Sequence, residues 1–259
     1  MSENKNTSNL TTEKINLESL DPNVADSVRV FAEKLLEMFG DNLKSITVVG
    51  SSLTEDYRPG RSDINTVLVL GKLNLDSLVA IASLARPMSK RKLSAPLLMT
   101  TSYIERSRDV FGVEFLDLQM THRTIYGDDP FETLSFDKKD IRLQCERELK
   151  AMLIRLRQGY IAAAADRKLV RDILISTAKD MTPLLNAMLW LKDIERPELT
   201  QATLNKAGDE FSFDPASLAR ADTWRHEKVT PDQTEIRDTF ETIYSVVEKL
   251  SEIVDRLEV

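Results

Sequence analysis

Two short apolar segments separated by a polar loop constrain the fold of this chain more than any other sequence feature. Residues 45–51 read Ser-Ile-Thr-Val-Val-Gly-Ser, and residues 64–70 form a second apolar run. Both runs are rich in β-branched residues and bounded by turn residues, which predicts two β-strands. The sequence Ser-Asp-Ile-Asn at residues 62–65 includes the end of the loop and the start of the second run, so an acid directly precedes the second strand.

Composition excludes several classes of function. The chain has 259 residues, 42% of them hydrophobic, and its 35 Lys+Arg and 42 Asp+Glu give a net charge of −7. A chain with a net negative charge is not expected to bind long nucleic acids, because that binding needs a basic surface. With Cys145 as its one cysteine and only two histidines, any bound metal is expected to have hard oxygen ligands. Without a membrane-length apolar run or a signal peptide, the chain is predicted to be cytoplasmic and to make no membrane contacts.

Hydrophobic periodicity predicts an α+β (mixed α/β) protein in three parts. Residues 1–20 are polar and predict a mobile N-terminal tail. Residues 21–131 combine helical and strand patterns, and residues 132–259 contain helical patterns alone. In the mixed part, helices are predicted over residues 21–40 and 75–84, and strands over residues 45–49, 64–70, 95–100 and 113–119. In the helical part, helices are predicted over residues 137–164, 168–193, 200–208, 215–220 and 232–257.

The loop and its two strands resemble the DNA polymerase β-type nucleotidyltransferase superfamily. The signature of that superfamily is an apolar strand, Gly-Ser or Gly-Gly, a gap, and Asp-x-Asp on the next strand; this chain has Val-Val-Gly-Ser at residues 48–51 and Asp-Ile-Asn at residues 63–65. Residues 113–118 look like the third acidic strand of the superfamily. Residues 132–259 look like the helical domain of the kanamycin and aminoglycoside nucleotidyltransferases. The resemblance implies a mixed sheet with helices followed by an all-helical domain, and its motifs cover residues 46–127.

Four residues are predicted to bind the phosphates of a nucleotide. Gly50 lets the backbone approach a phosphate because it has no Cβ, and the Ser51 hydroxyl can donate to a phosphate oxygen. Arg61 and Ser62 are the two residues that precede Asp63 in sequence. The guanidinium of an arginine pairs readily with phosphate. The resemblance implies transfer of a nucleoside monophosphate from a nucleoside triphosphate, with ATP favoured. The acceptor would be a hydroxyl of a small molecule or protein.

Four residues are candidates for metal binding and catalysis. Asp63 and Asn65 lie two apart on a strand and so face the same side, where two oxygen ligands can meet one Mg²⁺ or Mn²⁺. Active members of the superfamily have an acid in place of Asn65, and a carboxamide bridges two metals poorly. Glu114 and Asp117 are both candidates for the third acid, as metal ligand or as base. Strand alternation places them on opposite sides, so that only one can join Asp63.

The amide at Asn65 leaves three functions open. The chain is a transferase in which Asp63 acts with Glu114 or Asp117, or it is a catalytically degenerate module that binds nucleotides and regulates. A third alternative is a scaffold protein whose apolar helical half forms a homodimer. The sequence identifies neither the acceptor nor the nucleotide base, and it leaves the oligomeric state open.

Overall fold

The computed structural model describes residues 15–197, 199–225 and 231–259. The chain divides into an N-terminal unit, Met1–Arg108 with Leu118–Ser135, and a C-terminal unit, Asp109–Asp117 with Phe136–Val259. The described part of the first unit holds a mixed four-stranded sheet with helices, and the elements described in the second are helices. The predicted α+β architecture is therefore confirmed.

The predicted elements follow one another in the predicted order, except that residues 113–119 form no strand. The structure adds three elements that no sequence pattern predicts: helices Ala85–Lys90 and Thr101–Arg106 and strand His122–Gly127. The N-terminal unit contains helices α1 (Pro22–Phe39), α2 (Leu75–Ala82), α3 (Ala85–Lys90) and α4 (Thr101–Arg106), and strands β1 (Leu43–Val49), β2 (Asn65–Leu70), β3 (Leu97–Met99) and β4 (His122–Gly127). Helix α5 (Gly112–Met120) includes residues of both units. The C-terminal unit continues with α6 (Lys138–Ala163), α7 (Arg167–Leu191), α8 (Thr200–Phe211), α9 (Ala216–Thr223) and α10 (Gln233–Asp255).

The sheet is ordered β3-β2-β1-β4, so β1 lies at its centre. Strand β1 is antiparallel to both β2 and β4, whereas β2 and β3 are parallel. Ile46 and Val48 of β1 are fully buried against α1 in the core of this unit. Ile15 and Leu17, which the sequence places in the N-terminal tail, pack against the same core.

Helix α1 covers one face of the sheet. It begins after Asp21, whose carboxylate accepts a hydrogen bond of 2.8 Å from the Asn23 N–H, and Pro22 occupies its first position. Its buried residues recur at helical spacing and are Val24, Val28, Phe31, Ala32, Leu35 and Leu36. The periodicity predicts five of these six residues; Ala32 is an addition, and Met38, which the same periodicity places on the apolar face, is 38% exposed.

The predicted strand over residues 113–119 is wrong, because residues 112–120 form helix α5. The Val113 N–H donates to the Gln144 Oε1 of α6 at 2.9 Å, so a distant side chain satisfies a donor in the first turn of the helix. The sequence pattern also misses β4. His122 and Arg123 interrupt the apolar alternation there, and the strand forms by pairing with β1.

The C-terminal unit is a set of helices with apolar stripes. Asp137 caps α6, with its carboxylate accepting from the Lys139 N–H at 2.8 Å. Pro183 lies inside α7, and the buried residues around it include Met181 and Leu185. No helix within the described ranges is long and apolar enough to cross a bilayer.

Gly127 provides a test of the β1–β4 connection. Its φ is +75°, and a Cβ built there lies 1.8 Å from the Lys44 carbonyl oxygen. We expect Gly127→Ala to lower the free energy of unfolding by at least about 2 kcal/mol, because backbone strain and the clash add together. Gly60→Ala is the matched control, since Gly60 has a φ of +74° and open space around it. It should cost about 1 kcal/mol. Urea unfolding measures both, and equal losses contradict the role of crowding at Gly127.

Cys145 provides a test of the C-terminal core. Burial, reinforced by the charge of Glu114, raises the pKa of this thiol to about 12. At about pH 8 we expect the native thiol to react with an aromatic disulfide reagent at least about a hundredfold more slowly than the denatured thiol. Because the unfolded thiol ionises from about pH 8.5, this shift also makes stability fall as the pH rises from there. Equal reaction rates in the native and denatured states would contradict the burial.

Candidate functional site

The turn after β1 begins with Gly50, whose backbone has a φ of +77°. Residues Gly50–Leu53 form one short 3₁₀ turn in which Ser51 is exposed. The Gly50 N–H donates to the Thr121 carbonyl oxygen at 3.1 Å, which fixes the turn to the residue preceding β4. The turn is therefore held in place by the backbone, and the Ser51 side chain lies at the surface, where it can donate to a ligand.

The register of β1 and β2 brings Gly50 and Asn65 together. Val49 pairs with Asn65, and a Cβ built on Gly50 lies 3.8 Å from the Asn65 amide nitrogen. Asp63 and Asn65 are both exposed, whereas Ile64 between them is fully buried. This alternation puts the carboxylate and the carboxamide on the same side, as the sequence predicts.

The loop that leads to Asp63 closes with a tight turn. The Arg61 N–H donates to the Arg58 carbonyl oxygen at 3.0 Å, and Gly60 at the third position has a positive φ, the pattern of a type II turn. The Ser62 hydroxyl accepts from the Arg58 N–H at 3.0 Å, so its own proton remains available to donate. Arg61 is exposed and forms no ion pair within the described residues. Both predicted phosphate ligands of this loop can thus donate to a bound anion.

Glu114 and Asp117 are held by partners of the C-terminal unit. The Gln144 amide donates to Glu114 at 2.5 Å, and Asp117 Oδ1 lies 3.1 Å from Arg196 Nη1. Asn186 also donates to Asp117, at 3.2 Å. The expectation that the two acids face opposite sides of a strand is wrong, because residues three apart on a helix are neighbours. Sequence reasoning missed these three partners, which lie far away along the chain.

The metal-ligating side chains at Asp63 and Asn65 suit one hard cation and not two cations. The four strands carry no Asp or Glu, and among the residues the structure describes no three His, Cys, Asp or Glu side chains cluster to hold a metal ion. Asp63 supplies a carboxylate and Asn65 a neutral carbonyl oxygen. One Mg²⁺ takes one or two carboxylates together with water and phosphate oxygens, so these two residues can hold it with a bound triphosphate.

His122 at the start of β4 is a structural residue. Its Nε2 lies 2.8 Å from Asp129 Oδ2, and its Nδ1 lies 2.9 Å from the Gln119 carbonyl oxygen. Burial alone would raise the pKa of Asp129, but hydrogen bonds from the Phe131 N–H and from His122 outweigh it and hold that pKa below its usual value. With both ring nitrogens engaged, His122 is not available to a metal.

Comparison with known proteins identifies the fold. No protein-family model and no curated protein sequence matches the chain. A solved structure does: the crystal structure of spectinomycin adenyltransferase AAD(9) from Enterococcus faecialis with ATP and spectinomycin. The match has a TM-score of 0.55 and 11% sequence identity, and it covers 87% of this chain and 98% of that one. The chain therefore has the fold of the DNA polymerase β-type nucleotidyltransferases, with a mixed sheet followed by a helical region.

Proposed function

We propose that the chain is a nucleotide-binding module of the nucleotidyltransferase fold with reduced capacity for transfer. It binds a nucleoside triphosphate, ATP first among them, at the turn after β1 and the start of β2. One observation carries the proposal: Asp63 is accompanied by Asn65, and none of the four strands carries an acid. Nucleotidyl transfer depends on neutralising the charge of the triphosphate, which a single carboxylate with one cation does only in part.

Each residue of the site has a task in binding. Ser51 and Ser62 donate to phosphate oxygens, and the exposed Arg61 offsets phosphate charge. Asp63, with the Asn65 carbonyl oxygen, holds one Mg²⁺ or Mn²⁺. Such a cation supplies charge neutralisation for the phosphates when it is bound. The Asn65 amide beside Gly50 can also donate to a phosphate that approaches the glycine backbone.

A transferase is the second candidate, and the similarity to an adenyltransferase solved with ATP and spectinomycin favours it. In this candidate the acceptor is a small molecule with a hydroxyl group, and Glu114 or Asp117 takes the proton of that hydroxyl. Glu114 accepts a hydrogen bond from Gln144, and Asp117 accepts one from Asn186. Whichever acid is the base takes up the proton beside that partner. The net charge of −7 disfavours a long nucleic acid as acceptor in either candidate.

Calorimetric titration with ATP, GTP, CTP and UTP, each with and without Mg²⁺, tests the binding site. We expect one nucleotide to bind preferentially and Mg²⁺ to strengthen its binding. Asp63→Asn should weaken the Mg²⁺-dependent binding at least about tenfold, because it removes the charged ligand of the cation. Glu55→Gln is the control, since Glu55 is an exposed acid of the same loop. An identical response of the two variants would contradict a cation at Asp63.

Asn65→Asp tests the missing second acid. We expect this variant to hydrolyse the bound nucleotide to a nucleoside monophosphate and pyrophosphate, with water as the acceptor, at least about tenfold faster than the wild type. The reason is that a second carboxylate holds the charge-neutralising cation more tightly. Without Mg²⁺ its melting temperature should fall, since two like charges then face each other, and Mg²⁺ should restore it. Asn65→Ser, which adds no charge, is the control. Fast release by the wild type, with no gain in Asn65→Asp, would favour the transferase candidate instead.

A further inference from the structure

A cavity of about 650 Å³ lies in the N-terminal unit beside the start of β2. Its walls come from α2, α3, the segment at residues 92–96 and Leu98 of β3, and most of its lining residues are apolar. Concave sites of about 300–1,000 Å³ with apolar walls and a few polar groups are typical of small-molecule binding. The proposed nucleotide site uses only Asp63 from this lining.

Apolar side chains around the cavity remain accessible to solvent. Leu78, in the cavity wall, is 47% exposed, and its neighbours Val79 and Leu75 on α2 are 62% and 72% exposed. The floor, in contrast, is formed by buried side chains such as Met88 and Leu93. Exposed apolar surface beside a cavity favours a ligand whose body is itself apolar.

Two opposite charges belong to the cavity lining, Asp63 and Lys92. Their backbones are neighbours, because the Ile64 N–H donates to the Lys92 carbonyl oxygen at 2.7 Å and the Ser94 N–H donates to the Ile64 carbonyl oxygen at 3.0 Å. Lys92 has a φ of +62°, a conformation that costs free energy in a residue with a Cβ. Within the part of the chain that the structure describes, neither side chain has an ion pair or a hydrogen bond.

We propose that this cavity binds an apolar amino acid or a small molecule of the same chemistry, with a compact apolar body and an ammonium and a carboxylate close together. The ammonium pairs with Asp63, the carboxylate pairs with Lys92, and the apolar body covers Leu78 and Met88. The ligand class follows from the two charges. A pure cation leaves Lys92 unpaired beside it and a pure anion meets the charge of Asp63, whereas a zwitterion satisfies both.

Three probes with the same indole body separate these chemistries. They are L-tryptophan, which is zwitterionic; tryptamine, which is cationic; and indole-3-propionate, which is anionic. Calorimetric titration of the full chain should give an affinity for L-tryptophan at least about tenfold above that for either analogue, since each analogue loses one charge-assisted hydrogen bond. Equal affinity for all three probes, or binding of none at millimolar concentration, would overturn the proposal.

Variants assign the two charges. Lys92→Gln should abolish the advantage of L-tryptophan over tryptamine, and Asp63→Asn should abolish its advantage over indole-3-propionate. Lys90→Gln is the matched control, because Lys90 is exposed on α3 and lies outside the lining, and it should leave all three affinities unchanged. If Lys90→Gln acts like Lys92→Gln, the effect is one of general charge and the assignment of the carboxylate to Lys92 fails.

The inference goes beyond nucleotide binding, although both sites include Asp63. Titration of the same preparation with ATP and Mg²⁺ separates the two outcomes. ATP binding without L-tryptophan binding overturns the amino-acid site alone, and L-tryptophan binding without ATP binding overturns the proposed nucleotide site alone.

Discussion

The pairing of β1 with β2 is the interaction on which the candidate site depends. It sets Val49 opposite Asn65 and so brings the amide of Asn65 to the backbone of Gly50. A shift of one residue would turn Ile64 towards solvent and Asn65 into the core. The cost of exposing an apolar side chain and burying an unsatisfied amide therefore fixes the register, and the register fixes the site.

Around this pair, short backbone contacts hold the loops. The Gly50 N–H binds the Thr121 carbonyl oxygen, the type II turn at residues 58–61 leads into Ser62, and the Ile64 backbone bonds to Lys92 and Ser94. The loop that leads to Asp63 thus contains three side chains that can donate hydrogen bonds to phosphate, Ser51, Arg61 and Ser62. In the proposed function, these residues bind a polyanion with one cation and give less charge neutralisation than rapid transfer requires. The same strand start also borders the apolar cavity, so one carboxylate is shared by two candidate ligands.

Sequence patterns predicted those elements whose burial follows a local period. Helix α1, strands β1 and β2 and the long helices of the C-terminal unit all appear where periodicity places them. The pattern failed over residues 113–119, where a run with apolar residues at several spacings suits either a strand or a helix. The Gln144 side chain, which bonds to the Val113 N–H, belongs to a helix that begins about twenty-five residues later.

By itself the sequence determined the shared side of Asp63 and Asn65, the glycine turn beside them and the resemblance in fold, because strand alternation and turn chemistry act between near neighbours. Only the tertiary structure decided the partners of Glu114 and Asp117 and the place of Lys92 beside Asp63. Those contacts join residues about thirty to eighty positions apart in the chain. They form because the whole core folds together, and the free energy of burying that core is not a local property of the sequence. Local preferences therefore encode the loop and its candidate ligand-binding residues, whereas packing selects which distant residues pair with one another.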